Sequence, residues 1–253
     1  MLELKDVRAG YDGVEVLHGL SYKFEDGKNY CLLGPNGCGK TTLIRTIASL
    51  IAFTGEITME GVRLRDMKRR ELASKVAVLS QVSNIYFPYT VYDTVMLGRY
   101  QYMKGIFGNT SKEDKEKVEE CLETVKLTDQ RDKRIDELSG GQRQRVFLAQ
   151  VLAQSPQMIL LDEPTNHLDV RHQLELIDYL KKWTADGKHS VIGVMHDINL
   201  ALRLSDSVLI MKDGEFKATG TFDEVVTANL LNETYDTDIA GFMRESFEKW
   251  REI

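Results

Sequence analysis

Gly34-Pro35-Asn36-Gly37-Cys38-Gly39-Lys40-Thr41-Thr42 fits G-x-x-x-x-G-K-[ST], the pattern of a phosphate-binding loop. Its flanks fit as well. Asn29 to Leu33 is a short apolar run of strand type, and Leu43 to Leu50, free of Gly and Pro, reads as a helix start. In a strand–loop–helix setting the glycines let the backbone curl until its N–H groups point inward at a β-phosphate, helped by the positive end of the helix dipole. Lys40 then neutralises β- and γ-phosphate charge, and the Thr41 hydroxyl ligates Mg²⁺. A merely Gly-rich turn leaves the flanks unexplained.

Composition sets the outer bounds. A chain of 253 residues, 42% hydrophobic, makes one large domain or a core with a smaller lobe. Lys and Arg number 33 against 39 Asp and Glu, a net charge of −6 without a long basic block, which disfavours nucleic acid as the main partner. The three cysteines lack metal-ligand spacing and suit a reducing compartment. No stretch approaches a membrane span, and the N-terminus lacks a basic-then-apolar signal pattern. The expectation is a soluble, cytoplasmic chain that meets a membrane only through a partner.

Leu2, Leu4 and Val7 open a strand-like segment, Tyr11-Asp12-Gly13 reads as a turn, and Leu17 to Phe24 is a second extended run. Together they suggest an antiparallel sheet beside the nucleotide site. Tyr11 is placed either to stack on adenine or to serve as a half-buried turn residue. Gly55 to Gly61 reads as strand and turn, Met67 to Ser74 as a charged helix, and Val76 to Leu79 as an apolar strand. Gln81 falls at that strand's C-terminal end, where doubly wound sheets bind ligands, and its amide can reach Mg²⁺ or an attacking water. From residue 82 to about 155 helical patterns replace strands, as in an inserted lobe: Val91 to Tyr100, then Ser111 to Lys126 behind a Thr110/Glu113 capping box.

Leu138-Ser139-Gly140-Gly141-Gln142 opens a helix running through Arg143 to Gln154. A serine and two glycines at a helix start make either a second anion-binding terminus or a structural N-cap. Met158 to Leu161 is a buried parallel-type strand ending in Asp162-Glu163, the Walker B pattern. Asp162 would hold Mg²⁺ directly or through water, and Glu163 would polarise the attacking water. Asn166-His167-Leu168-Asp169 leads into the amphipathic helix Val170 to Trp183, and the strand Ser190 to Met195 ends at His196-Asp197. The His196 imidazole stands where it can contact a γ-phosphate and orient water. His18, His167, His172 and His189 lack that placement and read as structural. Ser207 to Thr219 reads as a closing hairpin, Thr221 with Glu224 as the capping box of a helix Phe222 to Leu231, and the remaining tail as helical and polar.

With the phosphate loop, Gln81, Leu138 to Gln142, Asp162-Glu163, Asp169 and His196 in this order, the chain resembles the ATP-binding subunits of ABC transporters. The resemblance runs from Met1 to about Gly220, and Leu-Ser-Gly-Gly-Gln is that family's own signature. It implies an α/β fold: a P-loop NTPase (RecA-like) core with an N-terminal antiparallel β subdomain and an inserted α-helical subdomain at about 82–155, followed by a C-terminal helical extension, 221–253. It implies that Tyr11 is the adenine-stacking aromatic, Gly34 to Thr42 Walker A, Gln81 the Q-loop, Asp162 and Glu163 Walker B, Asn166 to Asp169 the D-loop and His196 the switch histidine. Two copies would sandwich two ATP molecules head to tail, Ser139, Gly140, Gly141 and Gln142 of one capping the γ-phosphate held by Lys40 of the other. The further partners implied are integral membrane permease subunits on the cytoplasmic face and, indirectly, a substrate-binding protein. Phe87 to Val95, Leu97 to Tyr100 and His196 to Ala201 are similar to importers of iron–siderophore, haem or cobalamin chelates. Tyr86, Phe87 and Tyr89 suit either a permease groove or ordinary packing of the lobe. Other importer or exporter classes and soluble ABC ATPases are the alternatives; a kinase or GTPase leaves Leu138 to Gln142 without a role.

Overall fold

Apolar residues at alternate positions turn Leu2–Tyr11 (β1) and Val14–Phe24 (β2) into an antiparallel pair, with Leu2, Leu4, Leu17, Leu20 and Phe24 buried and Lys5 and Lys23 exposed. The computed structural model from which this follows describes residues 1–80, 89–103, 110–166 and 168–251. They divide into two compact units, residues 1–64 with 192–253, and residues 65–191. In the first unit Asn29–Leu33 (β3) is buried at all five positions, as a strand covered on both faces must be. Lys40–Ile47 (α1) follows, then Phe53–Met59 (β4) and Val62–Arg63 (β5), which complete a sheet of order β2-β1-β4-β5. The helix expected from Leu43 to Leu50 thus begins at Lys40, because the loop's last glycine is itself the N-cap. It ends at Ile47, two residues before Ser49 turns left-handed (φ 53).

The second unit begins with Arg69–Lys75 (α2) and Val76–Ser80 (β6). Its helices are Val91–Met96 (α3), Lys112–Thr124 (α4), Gly140–Ala153 (α5) and Val170–Thr184 (α6), with Met158–Asp162 (β7) between the last two. β6 and β7 pair in parallel from Val76↔Met158 to Ser80↔Asp162. Two expectations shift here. The helix read over Val91 to Tyr100 tightens to 3₁₀ at Leu97–Arg99, where Gly98 lies so close to the Gln150 carbonyl that a Cβ would overlap it. The capping box of α4 is Ser111 with Asp114, one residue past Thr110 and Glu113, since Asp114 is fixed there by a buried arginine.

Ser190–Val194 (β8) lies at the division. The chain then returns to the first unit as Ile198–Leu204 (α7), Ser207–Lys212 (β9) and Glu215–Gly220 (β10), giving strands in the order β10-β9-β3-β8. Three short helices close it: Phe222–Val225 (α8), Ala228–Tyr235 (α9) and Ile239–Trp250 (α10). The single helix expected to Leu231 is therefore two. Its Thr221/Glu224 box forms, but Val226 and Thr227 leave helical geometry and Thr227 caps α9 by accepting the Leu230 amide. The tail is helical as expected, yet not polar throughout: Phe242 and Phe247 are exposed on α10. No helix among the described residues is long and apolar enough to cross a membrane.

Arg99 is the polar centre of the helical part of the second unit. Its guanidinium bonds Asp114 (2.9 Å) and the Ala153 carbonyl (2.8 Å) and lies 3.9 Å from the centre of the Tyr102 ring. Burial opposes ionisation of Asp114, but the Ser111 amide and hydroxyl, with Arg99, outweigh it and hold the carboxyl below its usual range. A depressed carboxyl stabilises the fold above its unfolded value and loses that contribution as the pH falls through the folded one. Arg99→Met leaves Asp114 buried without its cation and is expected to cost about 3 kcal/mol in urea unfolding at neutral pH. The deficit should shrink below about pH 4; a pH-independent deficit would assign it to packing alone.

Candidate functional site

β3 delivers the phosphate loop, and three contacts within the first unit fix its shape. At Gly34 the backbone has φ 150, and a Cβ would overlap the Met211 carbonyl of β9, so only glycine fits. The Gly34 N–H donates to the Tyr235 hydroxyl at 3.0 Å. The Cys38 carbonyl accepts the Gly214 N–H at 3.1 Å, from the turn between β9 and β10. Gly39, at φ 107, is the N-cap of α1, and no side chain caps that helix start, which leaves its first turn able to receive an anion. Gly37 takes φ 83 with nothing within 4 Å of a Cβ there. Lys40 is only 5% exposed. Its ammonium donates to the loop's own carbonyls, Gly34 at 2.6 Å and Pro35 at 2.8 Å, with the Cys38 sulfur 3.9 Å away. Burial raises the Cys38 thiol against the opposing pull of Lys40, and raises Cys31 to about 12 and Cys121 to about 11, so all three stay protonated and inert. Thr41 and Thr42 occupy the first turn of α1.

The same unit brings His196 to the loop's edge of its sheet. β8 neighbours β3, the Met195 N–H reaches the Leu32 carbonyl (3.5 Å), and His196 follows, exposed, in the bend that Asp197 ends by capping α7. Tyr11 ends β1, exposed, with Arg45 of α1 3.5 Å from its hydroxyl. Gln81, His167, Tyr86 and Phe87 lie outside the described residues.

In the second unit Asp162 closes β7 and Glu163 turns left-handed (φ 54), a conformation that costs a non-glycine residue about 1–2 kcal/mol. The strain is braced. Asn166 donates its amide to the Glu163 carboxylate at 2.7 Å, while Gln144 and Gln173 donate to the carbonyls of Pro164 (3.1 Å) and Thr165 (3.2 Å). Ser139 is the N-cap of α5 in a reciprocal box with Gln142: Gln142 N–H to the Ser139 hydroxyl oxygen 3.3 Å, Ser139 N–H to the Gln142 side chain 3.0 Å. The hydroxyl keeps its own hydrogen for a further acceptor. Asp169 caps α6, accepting the His172 amide (2.9 Å) and ring (2.8 Å), and these bonds, the amide first, hold its carboxyl below the usual range. Ser139, Gly141, Gln142, Leu168 and His172 share the wall of a groove of about 610 Å³. Sequence reasoning left His172 structural and missed Gly214 and Tyr235. His172 has a local signal, its spacing of three from the capping Asp169; Gly214 has only the Asp213-Gly214 turn signal, which does not point to the loop, and Tyr235 has none.

Among the described residues no cluster of three or more His, Cys, Asp or Glu could hold a metal. Mg²⁺ takes one or two protein oxygens and completes its shell with phosphate and water. A threonine hydroxyl at a phosphate loop and a carboxylate at a strand end are ligands of the right hardness.

An uncapped helix start, a looped glycine backbone and a buried lysine define a phosphate-binding P-loop protein. Residues 17–166 match the ABC transporter family, and the chain belongs to it. It is 36% identical over 249 residues to the ABC transporter ATP-binding protein YvrA of Bacillus subtilis (strain 168), covering 98% of this chain and 56% of that one, so it spans about half the length of that relative. It is 37% identical over 240 residues to the petrobactin import ATP-binding protein YclP of the same organism, covering 94% of each. Among solved structures it is similar to the dimeric ATP-binding cassette MJ0796 in a post-hydrolysis state bound to ADP and Pi, with a TM-score of 0.75 and 30% identity, covering 87% of this chain and 98% of that one. The fold is that of a P-loop NTPase, with an antiparallel sheet in addition to the strands around β3.

A Cβ on Gly141 would lie 2.7 Å from the His172 ring. Gly141→Ala is therefore expected to destabilise the chain by about 1–3 kcal/mol. Adding His172→Ala should return about 1 kcal/mol or more of that loss. Urea unfolding of the four proteins in this cycle measures the coupling, and strict additivity would show that the ring is not the obstacle.

Proposed function

We propose that the chain is the ATP-hydrolysing subunit of an ABC importer whose cargo is a metal chelate of the iron–siderophore, haem or cobalamin kind. The observation that carries the ATPase reading is Lys40: a buried ammonium whose only described oxygen partners are carbonyls of the loop it completes, at a helix start without a side-chain cap. A phosphate presented to that loop offers the ammonium a charged acceptor in their place. In this reading the amides of Gly37 to Thr42, with Gly34, Pro35 and Asn36 shaping the turn, bind the β- and γ-phosphates, and the exposed Tyr11 ring stacks on adenine. Thr41, Asp162 and Gln81 would hold Mg²⁺, which when bound neutralises phosphate charge. Glu163, steadied by Asn166, accepts a hydrogen bond from the attacking water, and His196 orients it. The water's oxygen bonds to the γ-phosphorus as the bond to the bridging oxygen breaks, releasing ADP and phosphate.

A second copy presents Ser139, Gly140, Gly141 and Gln142 to the γ-phosphate, with Asp169 at the seam, so ATP joins two subunits and hydrolysis parts them. The dimeric cassette MJ0796 supports that assembly. The membrane partner is an integral permease on whose cytoplasmic face the chain sits, with a substrate-binding protein acting through it. We place the permease contact on the inserted helical lobe at about 82–155, where Tyr89 is exposed, and treat 1–220 as the ATPase domain with 221–253 as its extension. The chelate cargo rests on the stretches Phe87 to Val95 and His196 to Ala201 and on the petrobactin-importing relative.

Glu163→Gln keeps the side chain's size and removes its basicity. Hydrolysis should fall by about 100-fold or more, while MgATP binding and ATP-driven dimerisation persist; undiminished turnover would remove Glu163 from the chemistry. Lys40→Ala should abolish MgATP binding in the same assay.

A further inference from the structure

The phosphate loop is tied to the far end of the chain. Gly34 and Tyr235 are 201 residues apart, yet the Gly34 N–H donates to the tyrosine hydroxyl. Gly34 is buried, so this amide has no recourse to water. The same residue's carbonyl is where the Lys40 ammonium rests, at 2.6 Å. Tyr235 thus holds the N–H of the glycine whose carbonyl receives the phosphate-binding lysine.

The tyrosine is itself anchored. It is the last residue of α9, which buries Leu231 and Thr234. Lys212, ending β9, donates to the Glu233 carbonyl (2.6 Å) and the Asp236 carboxylate (2.8 Å), and so pins the helix end on both sides of Tyr235. Asp213 and Gly214 follow Lys212, and the Gly214 N–H holds the loop at Cys38. Both grips on the loop, at Gly34 and at Cys38, therefore lead back to the end of β9.

We propose that Tyr235 is a positioning residue of the phosphate loop, and that the C-terminal segment 227–236 belongs to the nucleotide-binding apparatus. This rests on reading the loop as an ATP site. The hydroxyl touches no reacting atom. It fixes the loop in one shape before nucleotide arrives, so it contributes equally to bound substrate and transition state, and its removal raises KM with kcat unchanged.

The test uses the full-length chain as wild type, Tyr235→Phe and Lys212→Met, with MgATP as ligand. For Tyr235→Phe, exchange of the Gly34 amide should quicken relative to the amides of β3. Kd and KM for MgATP should rise about fivefold, the effect of one lost neutral hydrogen bond, with kcat unchanged. Lys212→Met, which frees the helix end without touching the hydroxyl, should shift KM the same way by less. A Tyr235→Phe protein with wild-type Kd and KM, even one of lowered Tm, would make the tyrosine purely structural and overturn the proposal, as would a fall in kcat at constant KM. A wild-type chain that binds no MgATP would strike the nucleotide reading itself and this inference with it, a failure seen without any variant.

Discussion

A buried ammonium must find acceptors, and Lys40 finds them in the loop that carries it. Its bonds to Gly34 and Pro35 close a ring of backbone around the cation, which is the arrangement a phosphate can enter by exchange rather than by assembly. That exchange needs a loop that does not collapse when the lysine leaves. The rigidity comes from behind: β3 is buried on both faces and paired in parallel with β9, while Gly214 and Tyr235 hold the loop from the hairpin and from the end of α9. The close approach of Met211 to Gly34 is what such backing requires.

The parts of this that are local in sequence were legible. β3 and β7 are unbroken apolar runs between turn residues, and their bounds fall where the run ends or one residue beyond. The loop, the Asp162-Glu163 pair and the Ser139 cap are each contained in a few consecutive residues. What could not be read is set by distant residues. The cap of α4 moved to Ser111 because Arg99, from another helix, fixes Asp114. The break at Val226 follows from a β-branched run that favours neither helix strongly until Thr227 offers a cap. The Gly34–Tyr235 bond has no periodic or spacing signal at all.

Glu163 illustrates strain kept in place by its neighbours. A carboxylate on a left-handed residue directly after a buried strand is aimed differently from one continuing that strand, and the departure persists because Asn166, Gln144 and Gln173 fill the polar groups the turn exposes. The brace draws on α5 and α6 together. The helix that carries the signature is thus also part of what orients the carboxylate, so a change at its first turns has a route to Glu163 through Gln144.

The two signature glycines answer to different demands. At 141 the chain's own packing accounts for the residue, since the ring of His172, held by Asp169, occupies the space a Cβ would need. At 140 a Cβ would meet nothing within 4 Å, and the residue is exposed. Folding of the described residues therefore leaves room for a Cβ at 140. A bare first residue on a helix whose cap is already satisfied by Ser139 leaves amides open to close approach from outside. Packing among the described residues accounts for glycine at 141 but not at 140, and in the proposed dimer it is the start of α5 that meets the partner's nucleotide.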